Sequence, residues 1–301
     1  MFKIEELAGV VPALISPLRS DGCVDEAAVA RLVEHVIDGG VHGLLPLGST
    51  GETASLDETA RRTMLSCVIA AAGGRVPVIC GVAQSHLSAA RVEVQAAAQL
   101  GAAAALVAPP FYYPMDQPTL LAFYRNLAAN TPLPILLYNI PQFTKVVAEP
   151  SSVATLAREG TIVGIKDSSR DFEYFEGVCI ATRELPRFRI FTGSDTMLLP
   201  SLAMGAAGTI CGAANVAPRW VVRIAEEFKR GDLVKARAQQ DLLYELVTAL
   251  RQGVFPAAIK AACHLQGICE PWCAAPMPPL DDQLQTKLRA RLEALGIRTQ
   301  T

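Results

Sequence analysis

A chain of 301 residues, 51% hydrophobic and 19% charged, is long enough for one large single-core domain or two ordinary ones. Its formal net charge of -2 supplies no basic patch, which argues against nucleic acid and anionic membrane surfaces as partners. The start is mixed and charged and no later stretch approaches 18 uninterrupted apolar residues, so neither a signal peptide nor a membrane span is expected, and a cytoplasmic protein is.

In chain order, short apolar runs alternate with longer amphipathic ones. Strands are expected over 10–16, 43–47, 76–82, 104–108, 134–140, 162–166, 188–192 and 208–212. Helices are expected between and after them, over 25–39, 57–72, 86–100, 117–130, 150–158, 170–183, 196–205 and 217–230. Eight strands each followed by a helix is the pattern of a (β/α)8 barrel, an α/β fold of about this length. A doubly wound sheet would alternate too, but the first strand–helix junction, Ser16-Pro-Leu-Arg-Ser-Asp-Gly22, lacks a glycine-rich dinucleotide fingerprint. Local signals agree with the helices. Ser55-Leu-Asp-Glu58 reads as a capping box, Ser85 as the cap of the next helix, Pro218 as a first-turn residue, and Gly73-Gly74 and Gly231 as stops. Beyond Gly231 the strands end, and helices are expected over 232–251, 256–266 and 281–295. The expected organisation is therefore a barrel over 1–230 and a C-terminal helical bundle over 231–301.

Most of the eight cysteines sit singly in apolar runs, as in Pro77-Val-Ile-Cys-Gly81, where a thiol behaves as a small hydrophobe. Cys263-His264, Cys269 and Cys273 cluster, but without the Cys-x-x-Cys pairing of a structural zinc site, so no metal is expected.

Lys166 interrupts the apolar run Thr161-Ile-Val-Gly-Ile-Lys166 at the end of the sixth expected strand. An ammonium is costly to bury, whereas a lysine taken out of water gives up its proton more readily and can attack a carbonyl to form a Schiff base. The alternative is a strand-end lysine that reaches out to water. Other stretches bear on the choice, because a barrel gathers its reacting residues at the carboxyl ends of several strands. Leu47-Gly-Ser-Thr-Gly-Glu52 follows the second, Pro109-Pro-Phe-Tyr-Tyr-Pro114 the fourth, and Tyr138-Asn-Ile-Pro141 ends the fifth. The first offers hydroxyls and a flexible backbone whose amides can approach a carboxylate, and lacks the lysine of a P-loop. The tyrosines offer hydroxyls for the proton transfers that carbinolamine formation and dehydration need.

Gly48-Ser-Thr-Gly-Glu52, Tyr138-Asn-Ile-Pro141 and Gly164-Ile-Lys-Asp167, in that order, resemble the dihydrodipicolinate synthase / N-acetylneuraminate lyase family over about residues 11–267. The resemblance implies a class I aldolase-type lyase without cofactor or metal, acting on pyruvate or a related 2-oxo acid with an aldehyde as second substrate, and a homotetramer built from tight dimers. It implies Lys166 as the Schiff-base lysine and Tyr138 as general acid/base. Ser49 and Thr50, in the loop that starts at Gly48, match the pair holding the 2-oxo acid carboxylate, with Ser49 also in the proton relay. Tyr112, or its neighbour Tyr113 one register on, matches a tyrosine that reaches a neighbouring subunit's site. Ile210 matches a residue whose backbone carbonyl faces the lysine.

Departures from the pattern bear on substrate. Phe143 stands where synthases carry an arginine for the aldehyde's carboxylate, which argues against aspartate semialdehyde. Arg61, Ser85, Ala89 and Phe111 stand at the lysine-feedback positions of the bacterial synthases, where polar ligands would be expected. Thr192-Gly193-Ser-Asp195 resembles the lyase and sugar-acid aldolase branch, in which the aspartate binds substrate hydroxyls; a surface helix cap is the other reading of Asp195. The expectation is a Schiff-base lyase making or breaking a carbon–carbon bond beside a 2-oxo acid carbonyl. Its competitors are a dihydrodipicolinate synthase, a 2-oxo-3-deoxy sugar acid aldolase or dehydratase, and, more remotely, a metabolite-binding barrel without turnover.

Overall fold

A computed structural model describes residues 4–300. Its strands are β1 (Gly9–Pro12), β2 (Ile79–Val82), β3 (Ala104–Val107), β4 (Ile135–Asn139), β5 (Gly164–Asp167), β6 (Arg189–Thr192) and β7 (Gly208–Cys211). Helix α1 (Glu26–Asp38) follows β1, with α2 (Glu58–Ala72) before β2. Then come α3 (Leu87–Leu100), α4 (Gln117–Ala128), the single turn α5 (Pro141–Thr144), α6 (Pro150–Arg158), α7 (Phe172–Ala181), α8 (Leu198–Ala203) and α9 (Pro218–Lys229). Three more helices end the chain: α10 (Leu233–Ala249), α11 (Ala257–Leu265) and α12 (Asp282–Ala294).

All seven strands pair in parallel, in the order β1-β7-β6-β5-β4-β3-β2. Parallel strands are covered on both faces, which is why they read as unbroken apolar runs. The expected strand 43–47 is not a regular strand. It makes isolated parallel bridges, Leu45 to Ala13 beyond β1 and Leu44 to Val78 before β2. Leu45 N–H donates to the Pro12 carbonyl and Ile79 N–H to that of Leu44, at 3.0 and 2.8 Å. Pro46 has no N–H to continue the ladder, and Leu47 turns into the left-handed region at φ 62°.

Alternation along the strands sorts side chains into two cores. Val11, Ile79, Leu106, Leu136, Phe191 and Ile210 pack together on one face of the curled sheet. Val10, Cys80, Val107, Leu137 and Ile165 face the other way, toward the helices. That outer core includes Val29 and Leu32 of α1 as well as Leu243, Leu246, Leu288 and Leu292 of the last helices, so one apolar shell joins the two ends of the chain.

The helix starts differ in detail from the expected caps. Asp57, not Ser55, caps α2 by accepting from Ala60 N at 2.7 Å, and His86, not Ser85, caps α3. Both chosen residues lie one or two positions past the serines with extended backbone, which places their side chains over the first turn. Pro218 opens α9, and Gly73 ends α2 in the left-handed conformation, as expected. Among the described residues no helix is long and apolar enough to cross a membrane.

Candidate active site

β4 and β5 run side by side with Tyr138 opposite Lys166 and Asn139 opposite Asp167. Neighbouring strands in register present paired residues to the same face, so Lys166 and Tyr138 both project into the inner core. Lys166 is 4% exposed, and its Nζ lies 4.5 Å from the centroid of the Tyr138 ring. The lysine therefore does not reach out to water. Asn139 and Asp167 brace the pair from below: Asn139 Nδ2 donates to Asp167 Oδ1 at 2.8 Å, and the Ser169 hydroxyl donates to Oδ2 at 2.9 Å. Burial pushes the Asp167 carboxyl above the usual range, against the pull of those donors.

Across the cavity, Ser49 brings its hydroxyl to 3.4 Å from that of Tyr138. It sits on the Gly48–Gly51 turn, where Gly51 N–H donates to the Gly48 carbonyl and the Ser16 hydroxyl donates to that of Gly51. The residues flanking the turn, Leu47 and Glu52, are both left-handed at φ 62° and 57°. Such conformations persist only when the surroundings over-determine them, and they cluster at functional loops. Thr50 is buried beside Ser49.

The remaining wall comes from β6 and β7. A β-carbon on Gly193 would lie 2.7 Å from Lys166 Cε and 2.0 Å from the Ser168 hydroxyl, so the lysine stem passes through space that only glycine leaves open. Asp195 does not cap a helix: its Oδ1 accepts from Ala213 N at 2.8 Å, tying the loop after β6 to the loop after β7. It keeps some surface in the cavity and is otherwise enclosed, and this burial pushes its carboxyl pKa up despite the Ala213 amide and Lys166. Together Ser49, Thr50, Tyr138, Lys166, Gly193 and Asp195 line a cavity of about 510 Å3 that Ile210 and Phe143 also border.

The other expected residues, Phe143 excepted, fall outside it. Tyr112 and Tyr113 are 82% and 76% exposed, Tyr112 at φ 86°, and neither lines this cavity. Phe143 is half exposed, 6.3 Å from the Phe255 ring, and both border an adjoining apolar pocket with Phe111 and Met277. Arg61 pairs with Glu93 at 2.7 Å in a separate groove between α2 and α3 that Ala89 also lines; Ser85 borders another recess. The three cysteines near His264 bring no metal-like set together: among the described residues no three His, Cys, Asp or Glu side chains are arranged to hold an ion.

Residues 6–295 match the model of the dihydrodipicolinate synthetase family. The chain belongs to that family. It is 36% identical over 291 residues to a 4-hydroxy-tetrahydrodipicolinate synthase of Hyphomonas neptunium, covering 97% of this chain and 99% of the relative. It is equally similar to an uncharacterized DapA-like lyase of Halobacterium salinarum, at 36% identity with 97% and 95% coverage. Among solved structures it superposes with a TM-score of 0.93 on dihydrodipicolinate synthase from Thermotoga maritima, at 30% identity over 97% of this chain and 99% of the other. The same score relates it to YagE, a prophage protein of E. coli K12 solved in complex with pyruvate, at 28% identity with 97% and 99% coverage. With relatives named as synthases and lyases, the chain is a lyase of the aldolase type.

Sequence reasoning missed a second buried lysine, which does not line the cavity but anchors the loop that carries Ser49. Lys260 Nζ lies 2.5 Å from Glu52 Oε1, both side chains fully buried, and donates to the Trp272 carbonyl, while Ala274 N–H donates to Glu52 Oε2 at 2.6 Å. These bonds bolt the Ser49–Thr50 loop to α11 and the segment after it. The local signals were a glutamate closing a glycine-rich turn and a lysine interrupting the apolar run Ala257-Ala-Ile-Lys-Ala-Ala-Cys263; nothing local links the two.

Proposed function

We propose that the protein is a Schiff-base lyase that makes or breaks a carbon–carbon bond next to the carbonyl of pyruvate or a related 2-oxo acid. The observation that carries this is the buried Lys166 amine held over the Tyr138 ring, with the Ser49 hydroxyl within reach of the Tyr138 hydroxyl. Lys166 Nζ attacks the 2-oxo carbon, and Tyr138 delivers the proton with which the carbinolamine hydroxyl leaves as water. The resulting iminium withdraws electrons from C3, which loses a proton to become an enamine; the enamine carbon then attacks an aldehyde carbonyl, whose oxygen takes a proton. Hydrolysis returns the amine. Ser49 and Thr50 hold the carboxylate at the turn, and Ile210 turns its carbonyl to the lysine.

This site sits at the carboxyl ends of what we take to be a closed (β/α)8 barrel over 1–230, with 231–301 as a helical extension. The hydrogen bonds of the Leu44–Leu45 segment to both edges of the sheet support closure. The exposed Tyr112 fits a homotetramer in which it completes a neighbour's relay. Between possible second substrates, Asp195 at the cavity favours a hydroxylated aldehyde, as in sugar-acid aldolases, and Phe143 disfavours aspartate semialdehyde.

Treatment with pyruvate and borohydride tests the reading. Hydride reduces the iminium, so Lys166 should gain the mass of reduced pyruvate, and Lys166→Arg should be unlabelled and inactive, since guanidinium stays protonated. Unlabelled wild type, or label on Lys260 instead, would refute it.

A further inference from the structure

Two arginines border the lysine cavity and take no part in the chemistry above. Arg170, four residues past Lys166, and Arg251, in the turn between α10 and α11, both line that cavity and also a recess of about 80 Å3 beside Asp195. Both are exposed, and neither guanidinium has a hydrogen-bond or ion-pair partner among the described residues. Elsewhere Arg75, Arg125 and Arg158 each close on a glutamate. The carboxylate that lines the same cavity and recess, Asp195, is already held by the Ala213 amide.

The backbone points the same way. Arg170 adopts φ 64°, where glycine is the undemanding choice and a β-carbon is disfavoured. The next residue, Asp171, already caps α7 by accepting from Tyr174 N, so Arg170 is not needed to start that helix. Arg170 and Arg251 thus bring two unpaired positive charges to the rim of one recess, where an anion would be attracted by both.

We propose that Arg170 and Arg251 form the anion-binding end of the second-substrate site, so that the aldehyde carries a terminal carboxylate or phosphate and hydroxyl-bearing carbons that pass Asp195. This rests on the Schiff-base reading. Guanidinium forks match the paired oxygens of either anion.

The test combines pyruvate with three short aldehydes: neutral glyceraldehyde, tartronate semialdehyde with its carboxylate, and glyceraldehyde 3-phosphate. The variants are Arg170→Gly, which suits the backbone angle, and Arg251→Gln. Wild type should use one anionic aldehyde at least tenfold better than glyceraldehyde by kcat/KM, and that ratio should fall roughly tenfold in each variant, as for the loss of a charge-assisted hydrogen bond. Which anion wins distinguishes carboxylate from phosphate. Equal use of all three aldehydes, or a ratio unmoved in both variants, overturns the proposal. Calorimetric binding of tartrate and of glycerol 3-phosphate, against glycerol, reads the same site without turnover: anion binding weakened in both variants supports it, and no binding overturns it. Borohydride labelling of the same proteins reports separately on the Schiff base.

Discussion

Glu52 and Lys260 face each other at 2.5 Å with no solvent exposure on either side chain, one on the loop that carries Ser49 and Thr50, the other on α11. Breaking a buried pair by removing one charge leaves the other unpaired, at about 3–5 kcal/mol. Glu52→Gln or Lys260→Met alone should therefore lower stability by about that much in urea unfolding. The double variant should recover most of it, because no charge is then left buried. Because the pair anchors the Ser49 loop, the single variants should also weaken pyruvate labelling. A single variant within ~1 kcal/mol of wild type would show that the pair contributes little.

Tyr138→Phe keeps the ring under Lys166 and removes the hydroxyl that faces Ser49. Turnover should fall by about 10²–10⁴, the range for a lost general acid/base. Pyruvate binding should survive better, since Ser49 and Thr50, proposed to hold the carboxylate, are unchanged. Turnover near the wild-type rate would remove Tyr138 from the chemistry.

Much of this was legible from local pattern. The short apolar runs located seven strands, and the lysine that breaks one of those runs marked the site. The second expected strand, 43–47, became two bridges because Pro46 and Leu47 break its regular pairing, a detail that apolar pattern does not carry. Helix caps were misplaced by a residue or two where several polar candidates adjoin, as at Ser55 and Asp57 or Ser85 and His86. Glu52–Lys260 and Asp195–Ala213 were invisible because no local period links residues that meet only through the tertiary fold.

Asp195 gives a pH signature. Its folded-state pKa is raised by burial above the unfolded value of about 3.9. The sign follows from linkage: the group's favourable contribution is complete below the unfolded pKa and is lost as pH rises through the folded one, where the carboxylate ionises in a poorly hydrated place. Asp195→Asn keeps an oxygen to accept from Ala213 and removes that ionisation. Relative to wild type it should be at least as thermostable at pH 7, with the difference shrinking as the pH is lowered toward 4. A variant that loses stability most at pH 7 would show that the charge itself is needed there, for instance opposite Lys166.

Phe143 separates the two nearest activities. It is half exposed, borders both the lysine cavity and the apolar pocket, and packs near Phe255. A carboxylate brought against these rings loses hydration and gains no charge-assisted hydrogen bond in return. Aspartate semialdehyde should therefore condense poorly with pyruvate in the wild type, even though a relative at 36% identity is named as a synthase. Phe143→Arg should improve its use selectively, because the new fork would meet that carboxylate while Ser49 and Thr50, proposed to hold the pyruvate end, are unchanged. The comparison is kcat/KM for aspartate semialdehyde in the two proteins, with hydroxylated aldehydes as reference. A gain of about tenfold corresponds to one new charge-assisted hydrogen bond. Efficient condensation by the wild type would instead make the synthase the better reading and assign recognition of that carboxylate to groups other than residue 143.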